Sequence, residues 1–367
     1  MWFVIMAVLA LLGLTAVFYL VTRFHRFSFI QHFGESHRIL AWLVALLPVA
    51  ATGLFWLRFN VTTMIVVLLH LTAAFLLCAL VSLVVGAVRK QPVPYDLQGA
   101  AAVLLTVVCL GIGWVMAHHV FQTDYRLETG KRLDRDYRIV LISDSHLGIT
   151  LDGDGFRREM LRIRQLRPDA VVLAGDFVDD DSKKSDMLAA CRALGELRES
   201  CGVCFVYGNH DNGYYRYRDF SSAELRQALE ENGVTVLTDE CLPLGEGIVL
   251  VGRRDRSDRG RAEIGALIEE TDPAKYRIVL DHQPNDYAAE AAAGADLVLS
   301  GHTHGGHIFP AGQIGLLIGA NDANYGLHRR GGTDFIVTSG LSGWAIPFKT
   351  GTYSEFVVVD IHSTAGN

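Results

Sequence analysis

Residues 137–361 predict an α/β domain, and residues 1–122 predict an all-α membrane region ahead of it. Two observations carry this expectation. From 137 onward, short apolar runs alternate with longer segments whose apolar residues recur at helical spacing, the pattern of buried strands joined by helices. Up to residue 122 the chain carries six Lys and Arg residues and two acids among long apolar stretches, whereas the remainder holds 27 basic and 38 acidic residues, a net charge of −11. Neither part shows the basic patch that a nucleic-acid partner would require.

Four apolar stretches, at 2–22, 39–57, 62–88 and 97–120, have about the 20 residues needed to cross a bilayer. The first has no basic residue before it and no small-x-small pattern after it, so it reads as a retained helix rather than a signal peptide. Pro48 and Gly53 interrupt the second, which a helical bundle tolerates. Trp42, Trp56 and Trp114 lie toward span ends, where interfacial aromatics gather. The loops after the first and third spans carry Arg23, Arg26, Arg38, Arg89 and Lys90, and the loop after the second carries only Arg58. By the asymmetry of Lys and Arg, both termini and the soluble domain are expected outside the cytoplasm. The expected division is a four-helix transmembrane region at 1–122 and a soluble domain at 123–367, with 121–136 as a short charged tether into an edge strand.

Within the soluble part, "YRIVLIS" (137–143), "DAVVLA" (169–174) and "GVCFVY" (202–207) read as strands, each followed by a helical pattern, at 156–166, 186–200 and 222–233. Ser221 or Ser222 would cap the third helix and Gly233 would end it. Further strands are expected at 247–252, 276–281, 296–300, 334–340 and 355–361. Cys201 and Cys204 form a lone CxxC that opens a strand, where alternation points the side chains apart, so no metal or redox role is expected of them. "DGDG" (152–155) reads as a turn and helix start. The Arg-rich stretch 252–265 reads as a solvated loop in which Arg and Asp compensate one another, ahead of a role at the rim of an anion site.

The polar residues fall in a pattern. Five apolar runs each deliver metal-type side chains just past their C-terminal ends: Asp144 and His146; Asp176 and Asp179; Asn209, His210 and Asp211; His282; and His302 with His304. In an open α/β sheet those ends converge on one crevice, the usual ligand site. Carboxylates, imidazoles and an amide together suit Mn, Fe or Zn better than an all-oxygen Mg cage. There are too many donors for one ion that must also hold substrate, so two divalent metal ions sharing a carboxylate are expected. The neighbouring glycines let the backbone turn sharply and substrate approach closely. Asp179 either orients a ligand histidine or caps the following segment.

The series "DSH", "GDFVDD", "GNHD", the lone His of "DHQP", and "GHTHGGH" resembles the calcineurin-like metallophosphoesterase family, and within it the bacterial membrane-associated branch with N-terminal spans. The resemblance covers about 137–361, with all five motifs in order, and leaves the spans outside. It implies a four-layer αββα sandwich of two sheets flanked by helices. It also implies that Asp144, His146 and His304 hold one metal, that Asn209, His282 and His302 hold the other, and that Asp176 bridges them. His210 would steady the transition state or protonate the leaving oxygen, with Asp211 orienting it. Two departures are visible. His307 stands where the branch usually shows Gln, and is expected to contact substrate or a ligand. Lys349 stands where a basic residue, often Arg, meets the phosphate, which Lys can do only as a point charge.

The expected reaction is attack on phosphorus by a water activated between two ions ~4 Å apart. The membrane spans point to a phosphorylated substrate in or near the bilayer, such as a phospholipid or a nucleotide-linked lipid, with a phosphorylated small molecule as the other class. A nucleotide-linked lipid would demand a cytoplasmic site, against the orientation read above. The rival expectation is a catalytically inactive membrane protein that uses the domain for binding. Degenerate copies lose at least one Asp, Asn or His ligand, and this sequence keeps them all.

Overall fold

The apolar first third is helical, as α1 (Trp2–His25), α2 (Ser28–Ser36), α3 (Arg38–Ala51), α4 (Gly53–Arg58), α5 (Val61–Arg89) and α6 (Tyr95–His118). These elements belong to a computed structural model that describes residues 2–213 and 218–365, the side chains of residues 2–7 and 9 excepted. The chain divides into two units, Met1–Gly113 and Trp114–Asn367. Among the described residues, three stretches are long and apolar enough to cross a membrane: Arg38–Arg58, Val61–Arg89 and Tyr95–His118. α1 covers the first expected span, and its described apolar part, Ala10–His25, is shorter than the other three. The second expected span is broken at Thr52. Pro48 lacks the amide N–H that would continue the ladder, and Thr52 Oγ1 donates to the Val49 carbonyl at 2.6 Å before the chain resumes at Gly53. Asn60 starts α5 by accepting from the Thr63 amide at 2.8 Å, a favoured helix N-cap.

The second unit begins with β1 (Val120–Thr129), β2 (Tyr137–Ile142) and α7 (Gly153–Gln165), followed by β3 (Ala170–Ala174), α8 (Lys184–Arg198), β4 (Gly202–Val206) and α9 (Ser222–Glu231). It continues through β5 (Thr235–Val236), β6 (Glu240–Leu244), β7 (Ile248–Gly252), α10 (Ile264–Glu269), β8 (Tyr276–Leu280) and α11 (Tyr287–Ala293). It closes with β9 (Leu297–Ser300), α12 (Ala311–Leu317), β10 (Gly326–Arg330), β11 (Thr333–Val337) and β12 (Ser354–Ser363). Two six-stranded sheets result, ordered β1-β12-β2-β3-β4-β5 and β10-β11-β9-β8-β7-β6.

Side-chain alternation along the strands sorts the core into layers. Val140, Ile142, Val171 and Leu173 face the helices, where Phe156, Met187 and Leu225 meet them. Their neighbours Ile139, Leu141, Val172 and Ala174 face the other sheet and meet Leu250, Ile278, Leu280 and Leu299. On that sheet's far side, Val251, Val279 and Val298 pack on Ile264 and Leu267 of α10. The order helix, sheet, sheet, helix is the αββα sandwich that the family resemblance implied. Each fully buried aliphatic side chain in it stabilises by about 1.5–3 kcal/mol.

The stretch expected as a tether is a full strand. β1 pairs in parallel with β12 from Val120 with Ser354 to Thr129 with Ser363. It starts ahead of residue 123, and only His119 separates it from α6. Ser221 caps α9 in a reciprocal capping box with Glu224, and Gly233 follows with φ of 74°. Cys201 packs on the helix-side core and Cys204 on the inter-sheet core, pointing apart as alternation requires.

Candidate metal centre

The C-terminal ends of β2, β3, β4, β8 and β9 meet at one edge of the sandwich and carry the polar motifs there. The turns that deliver them are strained. Asp144, His146, Asp176, His302, His304 and His307 all have left-handed backbone, at φ of 51°, 35°, 52°, 69°, 48° and 41°. Each such residue costs about 1–3 kcal/mol, a strain that concentrates at functional sites. Two glycines make the approach possible. A methyl group on Gly208 would collide with the Asp176 carboxylate, and one on Gly301 with the Asp144 carboxylate and Ser143 Oγ.

Two donor sets form. Asp144, His146 and His304 bring ligand atoms within 4.8 Å of one another, and so do Asp176, His282 and His302. Asn209 Oδ1 joins the second set, 3.2 Å from His282 Nε2. Asp176 Oδ2 lies between the sets, 3.6 Å from His146 Nε2 and 3.2 Å from His282 Nε2. The imidazoles are aimed from behind. His282 Nδ1 lies 2.7 Å from the Ala174 carbonyl, so it donates there and turns Nε2 to the crevice. His146 Nδ1 lies 3.1 Å from Asp179 Oδ2, and its Nε2 is buried with no hydrogen-bond partner. A buried imidazole nitrogen with no hydrogen-bond partner that faces carboxylates has the donor character a cation site requires.

The electrostatics agree. Burial lifts the Asp144 carboxyl above the usual range, although His282 beside it pulls the other way. Burial, then the neighbouring His282, pull His302 down to about 4, and burial and His146 hold His304 well below its ordinary value, so both are neutral donors. Burial also opposes charge on His282, yet the Asp176 carboxylate holds its pKa well above the ordinary range. That proton is the kind that metal binding releases. The residues therefore fit a pair of divalent ions.

Asp179 does more than either expectation for it. Its Oδ2 meets His146 Nδ1 and its Oδ1 meets His210 Nδ1, both at 3.1 Å, so one carboxylate sets two imidazoles. Asp179→Asn puts an amide N–H where an acceptor is needed. We expect it to weaken manganese retention roughly 10–100-fold, measured by metal titration of the full chain; unchanged affinity would show that the contact is incidental.

Two expected roles are corrected. Asp211 was expected to orient His210, but its carboxylate accepts the backbone amides of Asp176, Phe177, Val178 and Gly208 at 2.7–3.1 Å. It ties the β3 and β4 turns together, and burial pushes it up to about 7. Lys349 was expected at the phosphate. It is 1% exposed, and its Nζ donates to the carbonyls of Ser339, Gly340 and Tyr353 at 2.7, 3.3 and 3.4 Å, which uses all three protons. His307 stacks on His304 with ring centres 5.4 Å apart, and its Nε2 is buried without a partner. Trp344, which the sequence did not single out, lies 5.5 Å from the His210 ring. Its only signal is an aromatic in the "GWAIPF" loop.

Of the Arg-rich stretch, Arg253 is fully buried and pairs with Asp281, Asp286 and Glu290, while Arg261 pairs with Asp281. Their acidic partners lie outside the stretch and brace the His282 turn, while residues 256–260, between the two arginines, form the exposed loop that was expected, where Arg254 pairs with Asp258.

The calcineurin-like phosphoesterase family matches residues 137–306, from β2 to the His304 turn. An uncharacterized metallophosphoesterase of Aquifex aeolicus is 33% identical over 247 residues, covering 65% of this chain and 90% of that protein. The chain belongs to the calcineurin-like metallophosphoesterase family. A metallophosphoesterase of Helicobacter pylori strain J99 is 33% identical over 224 residues, 59% of this chain, and this chain spans 58% of its length. A bovine relative named transmembrane protein with metallophosphoesterase domain is 31% identical over 234 residues, 59% of this chain and 51% of its own. Among solved structures, a dimetal phosphatase from Danio rerio superposes with a TM-score of 0.42 at 14% identity, covering 62% of this chain and 94% of that one.

Proposed function

We propose that this metallophosphoesterase is a membrane-anchored, dinuclear-metal phosphohydrolase that cleaves a phosphoester or pyrophosphate bond. The observation that carries this reading is the position of Asp176 Oδ2, within 3.6 Å of a nitrogen from each of two donor sets. Asp144, His146 and His304 would hold one ion, Asn209, His282 and His302 the other, and Asp176 both. When bound, such a pair neutralises phosphoryl oxygens and lowers the pKa of a bound water, and the mixed N/O donors suit Mn, Fe or Zn above Mg.

The chain's own residues do the rest. His210, held at Nδ1 by Asp179, is positioned to protonate the leaving oxygen. Burial opposes its charge, but Asp179 lifts its pKa above the ordinary value, which favours a proton donor. Residues 1–122 would anchor the domain, and the Lys and Arg asymmetry favours an extracytoplasmic site. Of the two lipid classes considered, that side favours a phospholipid over a nucleotide-linked lipid. The binding-only alternative is disfavoured by the complete donor set.

The full chain in detergent with added manganese is expected to hydrolyse a chromogenic phosphodiester, to lose that activity with EDTA and to regain it with manganese. No turnover from folded, manganese-loaded protein, or turnover indifferent to chelation, would overturn the reading.

A further inference from the structure

The second unit buries its large apolar side chains nearly everywhere except on one segment. Among the described residues after α6, those left exposed are Phe309 (62%), Ile314 (52%), Leu316, Leu317 (86%), Ile318 (72%) and Leu327, and elsewhere only Leu161. Scattered single apolar residues are ordinary on a soluble surface, but a contiguous run marks a contact surface.

The segment is mounted on the metal centre. A methyl on Gly312 of α12 would lie 2.7 Å from Gly306 Cα, so helix and turn touch through bare backbone. Thr303 Oγ1 donates to the Asn324 carbonyl at 2.6 Å, tying the loop that follows α12 to the turn that carries His302 and His304.

A second observation indicates what covers it. The last turn of α6, a helix long and apolar enough to cross a bilayer, belongs to the same unit. Trp114 packs on Phe348 with ring centres 5.9 Å apart, and Ser354 Oγ donates to the Ala117 carbonyl at 2.9 Å. Two residues beyond Phe348, Thr350 Oγ1 accepts from the Phe309 amide at 3.3 Å, and the Gly351 amide donates to the His307 carbonyl at 2.9 Å. Contact therefore runs from the interfacial end of the spanning helix, marked by Trp114, through 348–351 to Phe309 and α12.

We infer that residues 309–318 insert into the bilayer interface and form the membrane-facing rim of the metal centre, so that the site takes its phosphoester from a lipid headgroup. The substrate half of this inference rests on the phosphohydrolase reading; the insertion does not. An apolar helix lying in the interface buries its face at the headgroup boundary, and here that face leads directly to the His302–His304 turn.

The test uses the full chain reconstituted in vesicles of phosphatidylethanolamine and phosphatidylglycerol. In Leu317→Trp, the emission added over wild type is expected to be blue-shifted and quenched by lipids brominated on their acyl chains. Added emission at the water-exposed wavelength and unquenched overturns insertion. Emission that is blue-shifted, unquenched and dependent on protein concentration also overturns it, because a second copy then covers the face. For the substrate half, the wild type is expected to prefer a chromogenic phosphodiester bearing a long acyl chain over the same diester without it by at least tenfold in kcat/KM. Leu317→Asp combined with Ile318→Asp should abolish the preference and leave the soluble diester unaffected. No preference in the wild type, or equal loss on both substrates, overturns the lipid rim. A wild type inactive on both sinks the phosphohydrolase reading and the substrate half with it, while quenching still decides insertion.

Discussion

Asp176→Asn is expected to lower hydrolysis of a chromogenic phosphodiester by on the order of a thousandfold, without unfolding the chain. The physical reason lies in the two oxygens of Asp176. Oδ1 accepts the His210 amide at 2.9 Å, a bond that an asparagine carbonyl preserves. Oδ2 faces His146 and His282 from between the donor sets, and there the variant places an N–H donor and removes a negative charge. The backbone amide of Asp176 still donates to Asp211 at 2.9 Å, so the turn keeps its tie. The check is kcat beside a thermal melt of the same sample. A full rate from the variant would mean that Asp176 holds no ion.

Arg253→Ala is expected to destabilise the protein by about 3–5 kcal/mol, the usual consequence of removing one partner from a buried ion pair. Arg253 is 2% exposed, and one guanidinium nitrogen reaches Asp281 at 2.8 Å, Asp286 at 2.9 Å and Glu290 at 3.4 Å. Burial, then Asp281, hold the Glu290 carboxyl well above its ordinary pKa, so Glu290 is neutral and the charge that Arg253 offsets is that of Asp281 and Asp286. Arg261 also pairs with Asp281 and would retain part of the compensation. Because Asp281 immediately precedes His282, the loss should also loosen a metal donor. Arg253→Lys keeps the charge but not the planar fork, so its melting temperature should fall between those of wild type and Arg253→Ala. An unchanged melt in Arg253→Ala would contradict the assignment.

The sandwich and most of the donor placement were legible because both follow from local periodicity. Apolar runs such as "YRIVLIS" announce buried strands, and a polar residue just past each run must emerge at the same sheet edge. What required the third dimension was where a side chain spends its hydrogen bonds. Lys349 has the charge for a phosphate contact, but nothing in "FKTG" says that three carbonyls surround its ammonium. Asp211 follows His210 in the sequence and Asp179 lies far along the chain from any histidine, yet the fold gives four backbone amides to the first and two imidazoles to the second. β1 reads as a tether because charged residues fill its outward side, Asp124, Arg126 and Glu128, as on an edge strand, although Phe121, Tyr125 and Leu127 alternate with them. The apolar stretch 309–318 is set apart by its exposure, which the sequence does not show.

The most direct test of the central claim is the metal content of the full chain after manganese loading and removal of free ions. About two manganese ions per chain, falling in Asp176→Asn while the protein remains folded, is the predicted result. Folded protein that retains one ion or none would contradict the dinuclear centre.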